Sequence, residues 1–140
     1  MRILGLDIGD KRVGVAVSDP EEIIASPLTV ITRDNDSSTI DTIVRLMGQY
    51  DVKRIVVGLP YSLDGSLGIQ ASKVKDFVDK LSQSASADIK LWDERLSTVA
   101  AERLLRGAGN KKAREKSRLD AAAAAFILQG YLDSLKVCDQ

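Results

Sequence analysis

The stretch GLDIGDKRVGVAVSD, residues 5–19, constrains the fold more than any other part of the chain. The apolar run Ile3-Leu4-Gly5-Leu6 and a second run from Val13 to Val17 read as two strands, residues 2–8 and 12–18. Gly9-Asp10 between them supplies a tight turn, so the two strands pair antiparallel. In the second strand Val13, Val15 and Val17 share one face, because successive strand side chains alternate. Gly14, Ala16 and Ser18 share the other, where something must approach closely. Gly5, Gly9 and Gly14 leave room for a backbone or a phosphate near Asp7. Asp7 itself breaks the first apolar run, and burying an unpaired carboxylate costs several kcal/mol. The rest of the chain has to supply what Asp7 is paired with.

Downstream, Asp19-Pro20-Glu21-Glu22 reads as a turn and Ile23 to Ile31 as a third strand, placed near an edge by Pro27. Ser37 or Ser38 is expected to cap a helix with Ile40, Ile43, Val44 and Met47 on one stripe, stopped by Gly48. Lys53 to Val57 is a buried-type strand ending in Gly58-Leu59-Pro60. The loop YSLDGSLG leads to a helix with Val74, Phe77, Val78 and Leu81 on one side. Residues 88–92 form a fifth strand. Ser97 caps a helix to about Arg106, Gly107-Ala108-Gly109-Asn110 breaks it, and Ser117 opens a last helix through Leu135. The order β-β-β-α-β-α-β-α-α predicts an α/β fold. Its five-stranded mixed sheet has three antiparallel strands, then two parallel strands reached through helices, all flanked by helices. A chain of 140 residues suits one domain spanning 1–140.

Composition narrows the chemistry. Histidine is absent, which excludes His general bases, His-ligated zinc and Ser-His-Asp triads. The lone cysteine, Cys138, forms no internal disulfide, and no leader or 18-residue apolar span is seen. A cytoplasmic protein without a membrane partner is expected. The net charge is zero, yet Arg103 to Arg118 holds seven basic residues against the single acid Glu115, a net +6. That asymmetry reads either as a polyanion footprint or as a solvated charged loop. In the first case GAGNKKAREKSR, residues 107–118, is a mobile segment that grips phosphate.

Acids stand where such a sheet carries function, beyond the carboxyl ends of its strands. Asp7 ends the first strand, Asp93-Glu94 ends the fifth, and Asp120 lies in the last helix. Ala124, Ile127 and Tyr131 continue the apolar stripe of Asp120, and the alanines let that helix pack close to the sheet. Three converging carboxylates would repel and raise one another's pKa, and a hard divalent cation resolves this. Magnesium or manganese takes oxygen ligands, and two such ions can hydrolyse a phosphodiester without histidine. Each acid also has a plainer role. Asp7 can accept turn hydrogen bonds from residues 9–11. Asp93 can pair with Arg95 or cap the next helix. Asp120 can complete an S-x-x-D capping box with Ser117.

Four blocks, GLDIGDKRVGVAVSD (5–19), VVGLPYSLDGS (56–66), WDERLST (92–98) and LDAAAAAFILQGYL (119–132), closely resemble the YqgF/RuvX family over nearly the whole chain. These are Holliday-junction-resolvase-like nucleases with a ribonuclease H-like fold, also linked to maturation of the 5′ end of 16S rRNA precursors. The resemblance implies a metal-dependent nuclease in which Asp7, Glu94 and Asp120 are catalytic residues and metal ligands for Mg2+ or Mn2+, two ions in all. Asp93 is the alternative to Glu94. Glu94 is favoured for its reach and its match to the family block. Nucleic acid, either branched DNA or precursor rRNA, is the implied partner. Lys11, Arg12, Arg95, Lys111, Lys112, Arg114 and Arg118 are the basic residues assigned to it.

Two other functions suit the same features. One is an ATP-binding protein of the actin/Hsp70-like superfamily, whose phosphate-binding hairpin looks like DIGDKRVGVAVSD. The other is a non-catalytic RNA- or ribosome-associated module. The sequence names no exposed apolar helix face as an interface, so it leaves the oligomeric state open.

Overall fold

The computed structural model describes residues 1–59, 68–93 and 113–138, with the backbone alone for 69–70, 113–120 and 136–138. The hairpin strands have the expected bounds, β1 (Arg2–Ile8) and β2 (Arg12–Ser18). They pair antiparallel with Asp7 opposite Gly14, and Gly9 N–H donates to the Arg12 carbonyl at 2.8 Å to close the turn. β3 (Ala25–Thr32) adds antiparallel to β2. β4 (Val52–Leu59) and β5 (Asp88–Asp93) add parallel on the other side of β1. The order β3-β2-β1-β4-β5 is the expected mixed sheet, with β1 at its centre.

Pleat alternation sends neighbouring residues of β1 into two cores. Leu4, Leu6 and Ile8 join Val13, Val15, Ile55 and Val57 beneath α1 (Asp36–Tyr50) and α2 (Ile69–Ser84). Ile3, Ala16 and Val56 pack on the opposite face against Ala124, Ile127, Leu128 and Leu132 of α3 (Ala113–Cys138). The small-residue face of the hairpin is therefore where α3 lies. At Gly5 a Cβ would stand 2.8 Å from Leu128 Cβ and 3.1 Å from the Ala124 carbonyl oxygen. The close approach that Gly5 allows is made by this helix.

Several boundaries differ from expectation, each for a local reason. β3 starts at Ala25 rather than Ile23, because Asp19 Oδ1 accepts the N–H groups of Ile23 (2.7 Å) and Ile24 (2.9 Å) and holds both out of the ladder. Those two bonds, Ile24's the stronger influence, keep the Asp19 carboxyl below its usual range. Pro27 does lie on an edge strand, next to a register shift between Val15 and Ala16. α1 is capped by Asn35, whose side chain accepts Ser38 N–H at 2.8 Å, and not by Ser37 or Ser38. It passes through Gly48 to Tyr50 and ends on Asp51 in the left-handed region (φ 55°).

The last helix is already formed at Ala113. Ser117 therefore lies inside it, and the Ser117–Asp120 capping box falls away. Residues 113–118 of the basic segment are helical rather than a loop. The loop at 60–67, the helix expected from Ser97 to Arg106 and the Gly107–Asn110 break lie outside the described residues.

Candidate active site

Asp7 is a carboxylate only 6% exposed. Its direction follows from the pleat. Ile3 and Gly5, two and four residues earlier, both face α3, so Asp7 faces that side from the carboxyl end of the central strand. Its β2 partner, Gly14, puts no side chain beside it. Arg12 lies on the same face of β2, half-buried and diagonal to Asp7, a spacing of roughly 7–8 Å. Lys11 is exposed in the turn.

Helix α3 runs antiparallel to β1. Arg54, the β4 neighbour of Ile3, donates to the Tyr131 hydroxyl at 2.7 Å, whereas the Ala124 carbonyl lies further along, at Gly5. Asp120 is one turn before Ala124 on the stripe that Ala124, Ile127 and Tyr131 bury. That turn rises about 6 Å, and β1 advances about 6.6 Å from Gly5 to Asp7. The Asp120 position thus stands level with Asp7, above the same face.

Strand β5 ends at Asp93. Trp92 lies on the α3 side, edge-on to Tyr131 (5.8 Å between ring centroids, 87°) and against Gly130. Asp93 pairs with Leu59, which belongs to the core under α1 and α2. It therefore faces away from Asp7. Glu94, Arg95, Lys111 and Lys112 lie outside the described residues, while Arg114 and Arg118 sit on the first turns of α3. The structure places Asp7 and Arg12 on one face of the sheet, the face that α3 covers, and sets Asp93 apart. Of the three candidate acids, only Asp7 has a described side chain. Among the described residues no three acids or cysteines gather into a ready metal cluster.

A residue that pattern reading missed supports the hairpin after Asp7. Arg33 Nη1 donates to the Gly9 carbonyl at 2.6 Å, and Arg33 N–H to the Lys11 carbonyl at 2.9 Å. Its guanidinium stands 5.0 Å over the Phe77 ring and donates to Asp36 at 2.9 Å. Asp36 also accepts from Lys80 at 2.8 Å. The Lys80 bond, then the Arg33 bond, hold its carboxyl below the usual range. The turn beside Asp7 is thereby tied to both helices on the far face.

Over residues 1–134 the chain matches the family described as RuvX: Holliday junction resolvase. It belongs to the RuvX family. This RuvX-family chain is 47% identical over 134 residues to a protein of Desulforamulus reducens, covering 96% of the chain and 98% of that relative. It is 47% identical over 133 residues to one of Halothermothrix orenii, covering 95% of each. Both relatives are named, provisionally, as pre-16S rRNA nucleases. Among solved structures it resembles T. thermophilus RuvC in complex with a Holliday junction substrate (TM-score 0.62, 17% identity, 96% of both chains). It also resembles the Fowlpox virus resolvase in complex with Holliday junction DNA (TM-score 0.56, 14% identity, 96% of this chain and 99% of that one). At such identities the likeness is one of fold, and the fold is ribonuclease H-like.

Proposed function

We propose that this RuvX-family chain is a divalent-metal-dependent endonuclease acting on structured nucleic acid, with Asp7, Glu94 and Asp120 as the metal-holding residues. One observation carries the reading: Asp7 is a buried carboxylate at the carboxyl end of the central strand, on the face that α3 covers. Without histidine in the chain the donor set is oxygen only, which fits Mg2+ or Mn2+. Glu94 is preferred to Asp93 because Asp93 shares its face with Leu59, across the sheet from Asp7. A pair of such ions, when bound, activates a water and stabilises the leaving oxygen at phosphorus.

The chain's own residues supply the setting. Strand pairing and the Arg33 clamp fix the backbone on either side of Asp7. Gly14 keeps the neighbouring position clear. Arg12 on the same face and Lys11 at the turn supply positive charge for a phosphate backbone. Arg95, Lys111, Lys112, Arg114 and Arg118 extend it. Such contacts position a substrate without reading its sequence.

The family description points to four-way DNA junctions, and the relatives' names to the precursor of 16S rRNA. Offering both substrates to the purified chain, with Mn2+ or Mg2+ and with EDTA, tests the reading. Cleavage of at least one substrate that EDTA abolishes is expected. Binding of either with no cleavage under any metal would instead favour the non-catalytic RNA- or ribosome-associated module.

A further inference from the structure

A hairpin turn at the surface normally leaves most of its carbonyls to water. The turn that follows Asp7 departs from this. The Arg12 carbonyl accepts Gly9 N–H at 2.8 Å, the Lys11 carbonyl accepts Arg33 N–H at 2.9 Å, and the Gly9 carbonyl accepts Arg33 Nη1 at 2.6 Å. Arg33 thus holds the turn on both sides of Asp10 and Lys11. It stands one residue beyond the last ladder pair, Arg12 opposite Thr32, so its N–H carries the β2–β3 ladder into the turn. Its guanidinium is anchored at the other end. Nη2 donates to Asp36 at 2.9 Å, Cζ lies 5.0 Å over the Phe77 ring, and Asp36 also accepts from Lys80 at 2.8 Å. Phe77 belongs to the core under α1 and α2, across the sheet from Asp7. The Lys73–Asp10 pair at the same turn is long, 3.6 Å, and exposed on both sides, so it constrains little.

The only side chain that the turn presents between those two held carbonyls, besides Asp10, is Lys11, and it is exposed. We infer that Arg33 is a positioning residue, which fixes the turn so that Lys11 is already aimed at a phosphate when nucleic acid arrives. Arg33 does not meet the substrate itself, since its side chain is 19% exposed and anchored on the far face. The inference rests on the nuclease reading above, which gives Lys11 to the phosphate backbone. A group ordered before binding loses less freedom on binding, so its contact is stronger. Arginine suits the task because its planar fork bonds a carbonyl and a carboxylate at once while lying over an aromatic ring. The lysine ammonium keeps the charge without that geometry.

Binding of a four-way DNA junction and of a pre-16S rRNA fragment over a salt series, in EDTA so that nothing is cleaved, tests it. The proteins are the wild type, Arg33→Lys, Arg33→Gln, Lys11→Ala and the double variant Arg33→Lys with Lys11→Ala. Lys11→Ala should weaken binding and flatten the slope of log K against log salt by about 0.9 on duplex DNA or about 0.7 on single strands, the share of one phosphate contact. Both Arg33 variants should move affinity and slope the same way. The double variant should match Lys11→Ala, because residues that act through one contact are not additive. A merely structural Arg33 would lower the thermal midpoint without this coupling to Lys11. A wild type that binds, with Arg33→Lys unchanged in affinity and slope, would overturn the inference alone. So would losses that add in full in the double variant, the mark of an Arg33 that touches phosphate itself. A wild type that binds neither probe would overturn the nuclease reading and the inference together.

Discussion

Asp36 is the residue whose charge most plainly joins two elements, since Lys80 of α2 and Arg33 both bond a carboxylate at the start of α1. Its lowered folded pKa means the ionised form is favoured by folding. That contribution is present above the unfolded value of about 3.9 and is lost as the pH falls through the lower folded value. The side chain is 33% exposed, so solvent screening limits the effect to about 0.5–1 kcal/mol. Asp36→Asn should lose that much in urea unfolding at pH 7, and the gap to wild type should close in acid. Asp7 and the stripe of Asp120 could be read from the sequence because strand alternation and helical spacing are local. Arg33 could not, because its partners Gly9 and Phe77 are brought to it only by the folded chain. Asn35, Ser37 and Ser38 are all competent caps, and backbone geometry chose the first.

Among the elements, α3 determines how the sheet is covered on the side of Asp7. Its contact with Gly5 leaves no room for a methyl group: Gly5→Ala would press on Leu128 Cβ and the Ala124 carbonyl. It should cost about 1–3 kcal/mol in chemical denaturation, the usual scale of overpacking. Gly48, inside α1, has nothing within 4 Å of where its Cβ would stand. Gly48→Ala should therefore stabilise by about 0.5–1 kcal/mol through helix propensity and a less flexible unfolded chain. Opposite signs for two glycine-to-alanine changes would separate packing from propensity. The strand directions were readable because short turns and helix-length connections restrict pairing. The start of β3 was not, since Asp19 withdraws Ile23 and Ile24 through bonds that no periodicity reveals. The start of α3 was misread because Ser117, a good cap, stands within a helix that had already begun.

For the molecule as a whole, a net charge of zero hides a basic segment that runs into the first turns of α3. If Lys111, Lys112 and Arg114 contact phosphate, changing all three to alanine should flatten the salt dependence of binding. The slope of log K against log salt should drop by about two to three, nearer three for duplex DNA and two for single strands. Affinity against salt for both proteins measures this, and an unchanged slope would leave the segment a solvated connector. The acids carry the central claim, and metal-dependent cleavage by wild type, Asp7→Asn and Asp93→Asn tests it most directly. Asp7→Asn is nearly isosteric. It should keep the unfolding midpoint while losing at least about 100-fold in rate, about 2.7 kcal/mol of barrier. Asp93→Asn, on the other face of the sheet, should retain cleavage. Full metal-dependent activity in Asp7→Asn would contradict the account and place the chemistry elsewhere on the molecule.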